Sequence, residues 1–112
     1  LAKDPEALTT HAIVAAAKGG DIVAQRILHM WHEHIAAGIA SLAHILDPDV
    51  FVVTGGLADC VDFPLLTEMV VDRVLPRIGD NLQLHKSELE GLAGIIGAAQ
   101  LVLDNLLDRI VA

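Results

Sequence analysis

The run LDPDVFVVTGGL, from Leu46 to Leu57, constrains the fold of this chain more than any other stretch. Asp47-Pro48 is expected to end a preceding helix, because proline disfavours helical geometry in the residue before it. The run Val50 to Thr54 is apolar up to its last residue, which predicts a strand covered on both faces. Gly55-Gly56 then permits a sharp turn. Since ligands of open α/β sheets bind beyond the carboxyl ends of the strands, this turn is the first candidate site.

Two helical patterns precede that run. A short helix is expected to continue from a cap at Thr9 or Thr10 to Ala17, and Asp21 is placed to cap a long helix over Ile22 to Leu46. The apolar residues of the long helix recur in alternating steps of three and four, which predicts one buried stripe. That stripe comprises Ala24, Leu28, Trp31, Ile35, Ile39, Leu42 and Ile45 or Leu46.

The second half of the chain predicts a third helix after Asp62, ending at Pro76. Asn81 to Lys86 alternates apolar and polar residues, as a strand with one wetter face does. A last helix is expected from about Leu92 to Ile110. The fold class is therefore α/β, in the order α-α-β-α-β-α, with the two strands parallel. Because two strands make a poor sheet, a missing segment or a second copy is expected to extend it.

Composition limits the classes of partner. The 112 residues fit one domain, residues 1–112. The formal net charge of -8 and the scattered Lys and Arg residues argue against a nucleic-acid surface on this segment. Its apolar stretches are shorter than the roughly 20 residues that a membrane span needs, so no membrane partner is expected. Cys60 has no second cysteine to pair with, which fits a cytoplasmic location.

Three groups of residues, taken in order, carry a family resemblance. The first is AAAKGGD, from Ala15 to Asp21; the second is Leu46-Asp47-Pro48 with VVTGGL, from Val52 to Leu57; the third is GIIGAA, from Gly94 to Ala99. Together they resemble the C-terminal lobe of the ROK family of bacterial sugar kinases and sugar-responsive transcriptional repressors. The resemblance implies a partial actin-like ATPase (ribonuclease H-like) lobe, and this chain as a C-terminal fragment of a ROK-type protein.

The resemblance leaves three functions open. The first prediction is the effector and oligomerisation part of a sugar-responsive repressor, because many ROK kinases have a third glycine where this chain has Leu57. The alternative is the nucleotide-side lobe of a sugar kinase, which phosphorylates a hexose with ATP and magnesium. A further alternative is a standalone dimerisation module. The expected partners are the N-terminal portion of the same protein, a second copy of the chain and, through the parent protein, a sugar.

The resemblance also implies one binding site. In the family's kinases, the glycines after this strand lie near the nucleotide, which makes Gly55 and Gly56 the candidate nucleotide-binding residues. The family's phosphate loop, catalytic base and zinc motif precede the segment that this chain resembles. No catalytic residue and no cofactor is therefore assigned to this fragment, and by itself it is not expected to transfer phosphate.

A cluster of histidines offers a metal-binding alternative. His29, His32 and Glu33 fall at i, i+3 and i+4, so they share a helical face, and zinc often takes ligands spaced in this way. That face lies largely away from Trp31, and no cysteine is near in the sequence. A solvated helix face is the preferred interpretation, and no metal site is assigned.

Overall fold

The computed structural model describes residues 8–111, except the side chain of Glu90. It is an α/β arrangement in which helices flank a small parallel sheet. The helices are α1 (Thr10–Lys18), α2 (Ile22–Leu46), α3 (Phe63–Val71), α4 (Pro76–Gly79) and α5 (Ala93–Val111), and the strands are β1 (Phe51–Val53) and β2 (Leu84–Lys86). Short 3₁₀ turns follow β1 and precede α5.

The two first helices form a hairpin whose turn follows from its sequence. The Thr9 side chain caps α1 by accepting a hydrogen bond from Ala12 N–H. Gly20 then adopts a φ of 90°, a left-handed conformation that costs glycine little. The Asp21 carboxylate accepts hydrogen bonds from Val23 N–H and Ala24 N–H, at 2.9 Å and 3.0 Å, and so begins α2 at the predicted residue.

The end of α2 and the two strands also follow the prediction. Asp47 ends the helix in a left-handed conformation, with a φ of 43°. The strands are parallel, as expected, with Phe51 opposite Leu84 and Val53 opposite Lys86. Both are shorter than predicted, because Val50, Thr54 and the run from Asn81 to Gln83 lie outside the ladder.

The predicted order lacks one helix. The structure has α-α-β-α-α-β-α, because α3 ends at Val71 and Pro76 begins the short helix α4. Pro76 does not end a helix, as the sequence suggested, but occupies the first helical position, where its missing N–H is harmless. The Ile78 and Gly79 N–H groups donate to the Leu75 carbonyl and close this single turn.

The core lies where α2 packs against α3, and it differs from the predicted stripe. Of the stripe residues, Ala24 and Ile39 are buried, whereas Leu42, Ile45 and Leu46 are exposed. The buried face of α2 is instead built mainly from alanines, which allow the two helices to approach closely. The central cluster consists of Ala36, Ile39, Ala40, Leu66, Met69 and Val70.

Helix α5 stands apart from this core. None of its described residues is buried. Its large apolar side chains are exposed, and most of them share one side of the helix: Ile95, Ile96, Val102, Leu103, Leu106, Leu107 and Ile110. We call this set the α5 apolar face. Within residues 8–111, no helix is both long and apolar enough to cross a bilayer.

Candidate functional site

The Gly55-Gly56 pair follows β1 directly, at the carboxyl end of the sheet. Gly55 has a φ of 102°, a conformation that residues with a side chain rarely adopt. Gly56 has no such requirement. A Cβ atom added at either position would meet no other atom within 4 Å beyond its chain neighbours, and both residues are exposed. The backbone here is accessible to a ligand, as a binding site at this turn requires.

The segment after the glycines is held by a succession of tight turns. Ala58 N–H donates to Gly55 C=O at 3.1 Å, and Cys60 N–H donates to Leu57 C=O at 2.9 Å. Ala58 and Cys60 are buried, so the segment is fixed against the rest of the lobe. We call residues 55–62 the glycine loop. Its turns are held by backbone hydrogen bonds within the segment, and such preorganisation lowers the entropic cost of binding a ligand.

The end of β2 lies beside the glycine loop. Ser87 N–H donates to Val53 C=O at 2.8 Å, which continues the strand pairing to the edge of the loop. The Lys86 ammonium group forms a hydrogen bond and an ion pair with the Asp59 carboxylate. That hydrogen bond, together with the positive charge of Lys86, holds the pKa of Asp59 below its ordinary value. The pair joins the loop to the second strand.

Replacing Lys86 with methionine is expected to raise the pKa of Asp59 toward the ordinary aspartate value. Because folding lowers this pKa, the pair stabilises the fold above the unfolded-state pKa and loses that effect as the pH falls through the folded value. A carbon-detected NMR titration of the carboxylates measures the change. Asp21 is the internal control, since its lowered pKa comes first from a hydrogen bond with the backbone of Ala24 and should not move. An unchanged Asp59 pKa in the variant would contradict the pairing.

A cleft of about 450 Å³ opens between α1, α2 and the glycine loop. Its volume lies within the range of small-molecule sites, roughly 300–1,000 Å³. Apolar side chains form much of its wall, and polar groups enter from each side. Those polar or ionisable residues are Lys18, Gln25, His29, His32, Asp59, Cys60 and Asp62. The glycine loop lines this cleft with its residues 59–62, whereas Gly55 and Gly56 begin the same loop without lining the cleft.

The structure gives the two histidines of the predicted group different surroundings, although both line the cleft. His29 lies 3.8 Å from Glu33, with both side chains largely exposed. His32 is not on a solvated face, as predicted, but is buried, with 3% of its surface exposed. Among the described residues, no group of three or more His, Cys, Asp or Glu side chains is arranged to hold a metal ion.

His32 is the residue that sequence reasoning missed. Its Nδ1 lies 2.7 Å from Leu28 C=O, and its Nε2 lies 2.9 Å from the backbone nitrogen of Asp62. Its buried location could have been found from spacing alone. His32 falls eight residues after Ala24 and four before Ala36, on the alanine face of the helix and not on the stripe of large side chains.

These features define a class: an α/β lobe that presents an accessible glycine turn at the carboxyl end of a parallel strand, beside a cleft. Comparison with known proteins gives the family. A sequence model of the ROK family matches residues 1–105. The chain therefore belongs to the ROK family, as the resemblance predicted.

The relatives found are named as kinases. The chain is 30% identical over 108 residues to a glucokinase from Thermotoga maritima, covering 95% of this chain and 34% of the relative. It is 29% identical over 97 residues to a glucokinase from Halalkalibacterium halodurans, covering 85% of this chain and 29% of the relative. This chain thus spans about one third of the length of these curated relatives. The matches do not support the predicted repressor, and they fit the kinase alternative better.

A solved structure shows the same fold. It comes from Cytophaga hutchinsonii and is a protein provisionally named a sugar kinase. The two structures superpose with a TM-score of 0.76 at 23% identity, over 86% of this chain and 33% of the other. At this identity the likeness shows the fold alone. It is consistent with the predicted lobe of an actin-like ATPase, although the element order predicted from sequence lacked α4.

Proposed function

We propose that this chain is the C-terminal, nucleotide-side lobe of a ROK sugar kinase that uses ATP and magnesium to phosphorylate a hexose. The observation that carries the proposal is the match to two glucokinases over 85% and 95% of this chain. The open glycine turn at the end of β1 supports it independently, because bare backbone N–H groups suit a phosphate or a ribose.

In this proposal, each part of the site has a distinct task. The peptide groups of Gly55 and Gly56 bind the nucleotide by close approach of the backbone, which a side chain would obstruct. The cleft between α1 and α2 takes the rest of the nucleotide, its apolar wall suiting a flat base. When bound, ATP supplies the phosphoryl group that is transferred. Leu57, in the place of a third glycine, is 44% exposed and leaves the two preceding peptide groups accessible.

Gly56→Ala tests the nucleotide site. Because the Gly56 backbone is unstrained and has space for a Cβ, the variant is expected to fold with unchanged stability. If the nucleotide approaches this backbone, the added methyl group should weaken MgADP binding about tenfold, equivalent to about 1.4 kcal/mol. NMR or calorimetric titration with MgADP measures the dissociation constant, and thermal unfolding measures the stability.

Gly38→Ala is the matched control for Gly56→Ala. Gly38 is an exposed glycine in α2 with equally open surroundings, so the same methyl group is added away from the glycine loop. It should leave MgADP affinity unchanged and stabilise the helix by roughly 0.5–1 kcal/mol. Equal affinities for wild type and Gly56→Ala would count against the proposed site.

The partners of the lobe also belong to this proposal. We propose that the α5 apolar face packs against the N-terminal portion of the parent kinase, and that the sugar is bound through that portion. The support is that nine exposed large apolar residues on one helix have no covering element within residues 8–111. Sequencing the coding region upstream of Leu1 separates the two ROK functions: a winged helix-turn-helix would restore the repressor, and a phosphate loop would support the kinase.

A further inference from the structure

His32 makes two hydrogen bonds that fix its protonation. The Leu28 carbonyl can only accept, so Nδ1 must carry the proton that it donates at 2.7 Å. The Asp62 backbone N–H can only donate, so Nε2 must offer its lone pair at 2.9 Å. The ring is therefore neutral, with its proton on Nδ1. It joins α2 to a residue 30 positions later in the chain.

The far end of this link is the last residue of the glycine loop. Asp62 also caps α3, because its carboxylate accepts a hydrogen bond from Leu65 N–H at 3.1 Å. Between Gly55 and Asp62, the backbone is a sequence of connected turns, ending with Val61 N–H donating to Ala58 C=O at 3.3 Å. A displacement at Asp62 is therefore passed along the turns toward the glycines.

Packing alone does not explain why the polar ring of His32 is buried at this position. In the part of the chain that the structure describes, His32 is the one buried polar or charged side chain. The neighbouring buried positions of α2 are filled by alanine, and an apolar residue of suitable size would fill this one without the cost of burying a polar group. What an apolar side chain could not supply is an acceptor for Asp62 N–H.

We propose that His32 is a positioning residue for the glycine loop: its Nε2 lone pair holds Asp62, and through it the turns that present Gly55 and Gly56. The consequence for nucleotide affinity rests on the proposed function. The effect on the loop itself does not, because it follows from hydrogen bonds within the chain.

Two amide variants of the full chain test this role. In His32→Gln, the side-chain oxygen reaches the Nε2 position and can accept from Asp62 N–H. In His32→Asn, the shorter side chain can still donate to Leu28 C=O but ends near the Nδ1 position. The two variants carry the same polar group and differ in whether Asp62 keeps its acceptor.

The first measurement is amide hydrogen exchange by NMR. Relative to His32→Gln, His32→Asn should exchange about tenfold faster at Asp62 and in the turns from Ala58 to Val61, because that segment opens more often. Exchange at Ala43, in the buried part of α2, should be equal in the two variants and shows that both are folded. Equal exchange across the glycine loop would overturn the inference.

The second measurement is MgADP affinity. We expect the dissociation constant of His32→Asn to be about fivefold higher than that of His32→Gln, with His32→Gln close to wild type. If wild type does not bind MgADP while loop exchange responds as stated, the positioning role stands and the proposed function fails. If wild type binds MgADP and the two variants differ neither in affinity nor in loop exchange, the proposed function stands and the positioning role fails.

Discussion

Leu66→Ala is expected to lower the free energy of unfolding by about 3 kcal/mol, the middle of the range for truncating a fully buried leucine. Leu66 lies on α3 with no exposed surface and packs in the cluster between α3 and α2. Its neighbours Ala36 and Ala40 are too small to close over the cavity. Urea denaturation followed by circular dichroism measures the loss as a lower midpoint with an unchanged slope.

Leu101→Ala is the matched control for Leu66→Ala. It removes the same atoms from α5, where Leu101 is 65% exposed. The expected loss is about 0.5 kcal/mol or less, as is usual for surface substitutions. Similar losses at both positions would mean that the α2–α3 cluster is not the main core.

The second large effect concerns association. The isolated chain is expected to self-associate through the α5 apolar face, since nothing in residues 8–111 covers it. The double substitution Leu103→Glu and Leu106→Glu places two charges at the centre of that face. We expect it to convert the chain to a monomer in light scattering. The unfolding midpoint, measured at a concentration too low for wild type to associate, should not change because α5 adds no residue to the core.

The control for this association is Asn105→Asp, on the side of α5 away from the α5 apolar face, where Asn105 donates a hydrogen bond to the Leu101 carbonyl. This variant also adds negative charge to the helix, yet it should associate like wild type. A wild-type chain that remains monomeric at about 100 µM would contradict the predicted homo-oligomer, because an exposed face of this size usually finds a partner.

The sequence was most informative where structure is set by neighbouring residues. Asp21 and Asp47 mark the two ends of α2 because capping and left-handed turns depend on the local chain. The parallel pairing of β1 and β2 followed from their helical connection. Gly55 was recognised as a turn residue for the reason that its positive φ now shows. Its role in nucleotide binding stays a prediction.

The sequence was least informative where structure depends on distant contacts. The large apolar side chains of α2 suggested a buried stripe, but Leu42, Ile45 and Leu46 are exposed, and alanines face α3. Hydrophobic periodicity predicts that the large apolar residues form the buried face of a helix. Close packing of two helices instead favours small residues at their contact. The sequence predicted a solvated position for His32 for a related reason, because its hydrogen-bond partner Asp62 is brought near only by the tertiary fold.

The small sheet has a practical consequence for engineering. In the described residues, β1 pairs only with β2, so each strand has an outer edge whose backbone groups can pair with another strand. A polypeptide that supplies the neighbouring strands would extend the ladder in trans. These open edges suggest a design in which the lobe is one fragment of a split reporter, and recovery of a complete sheet reports that two separately expressed fragments have met.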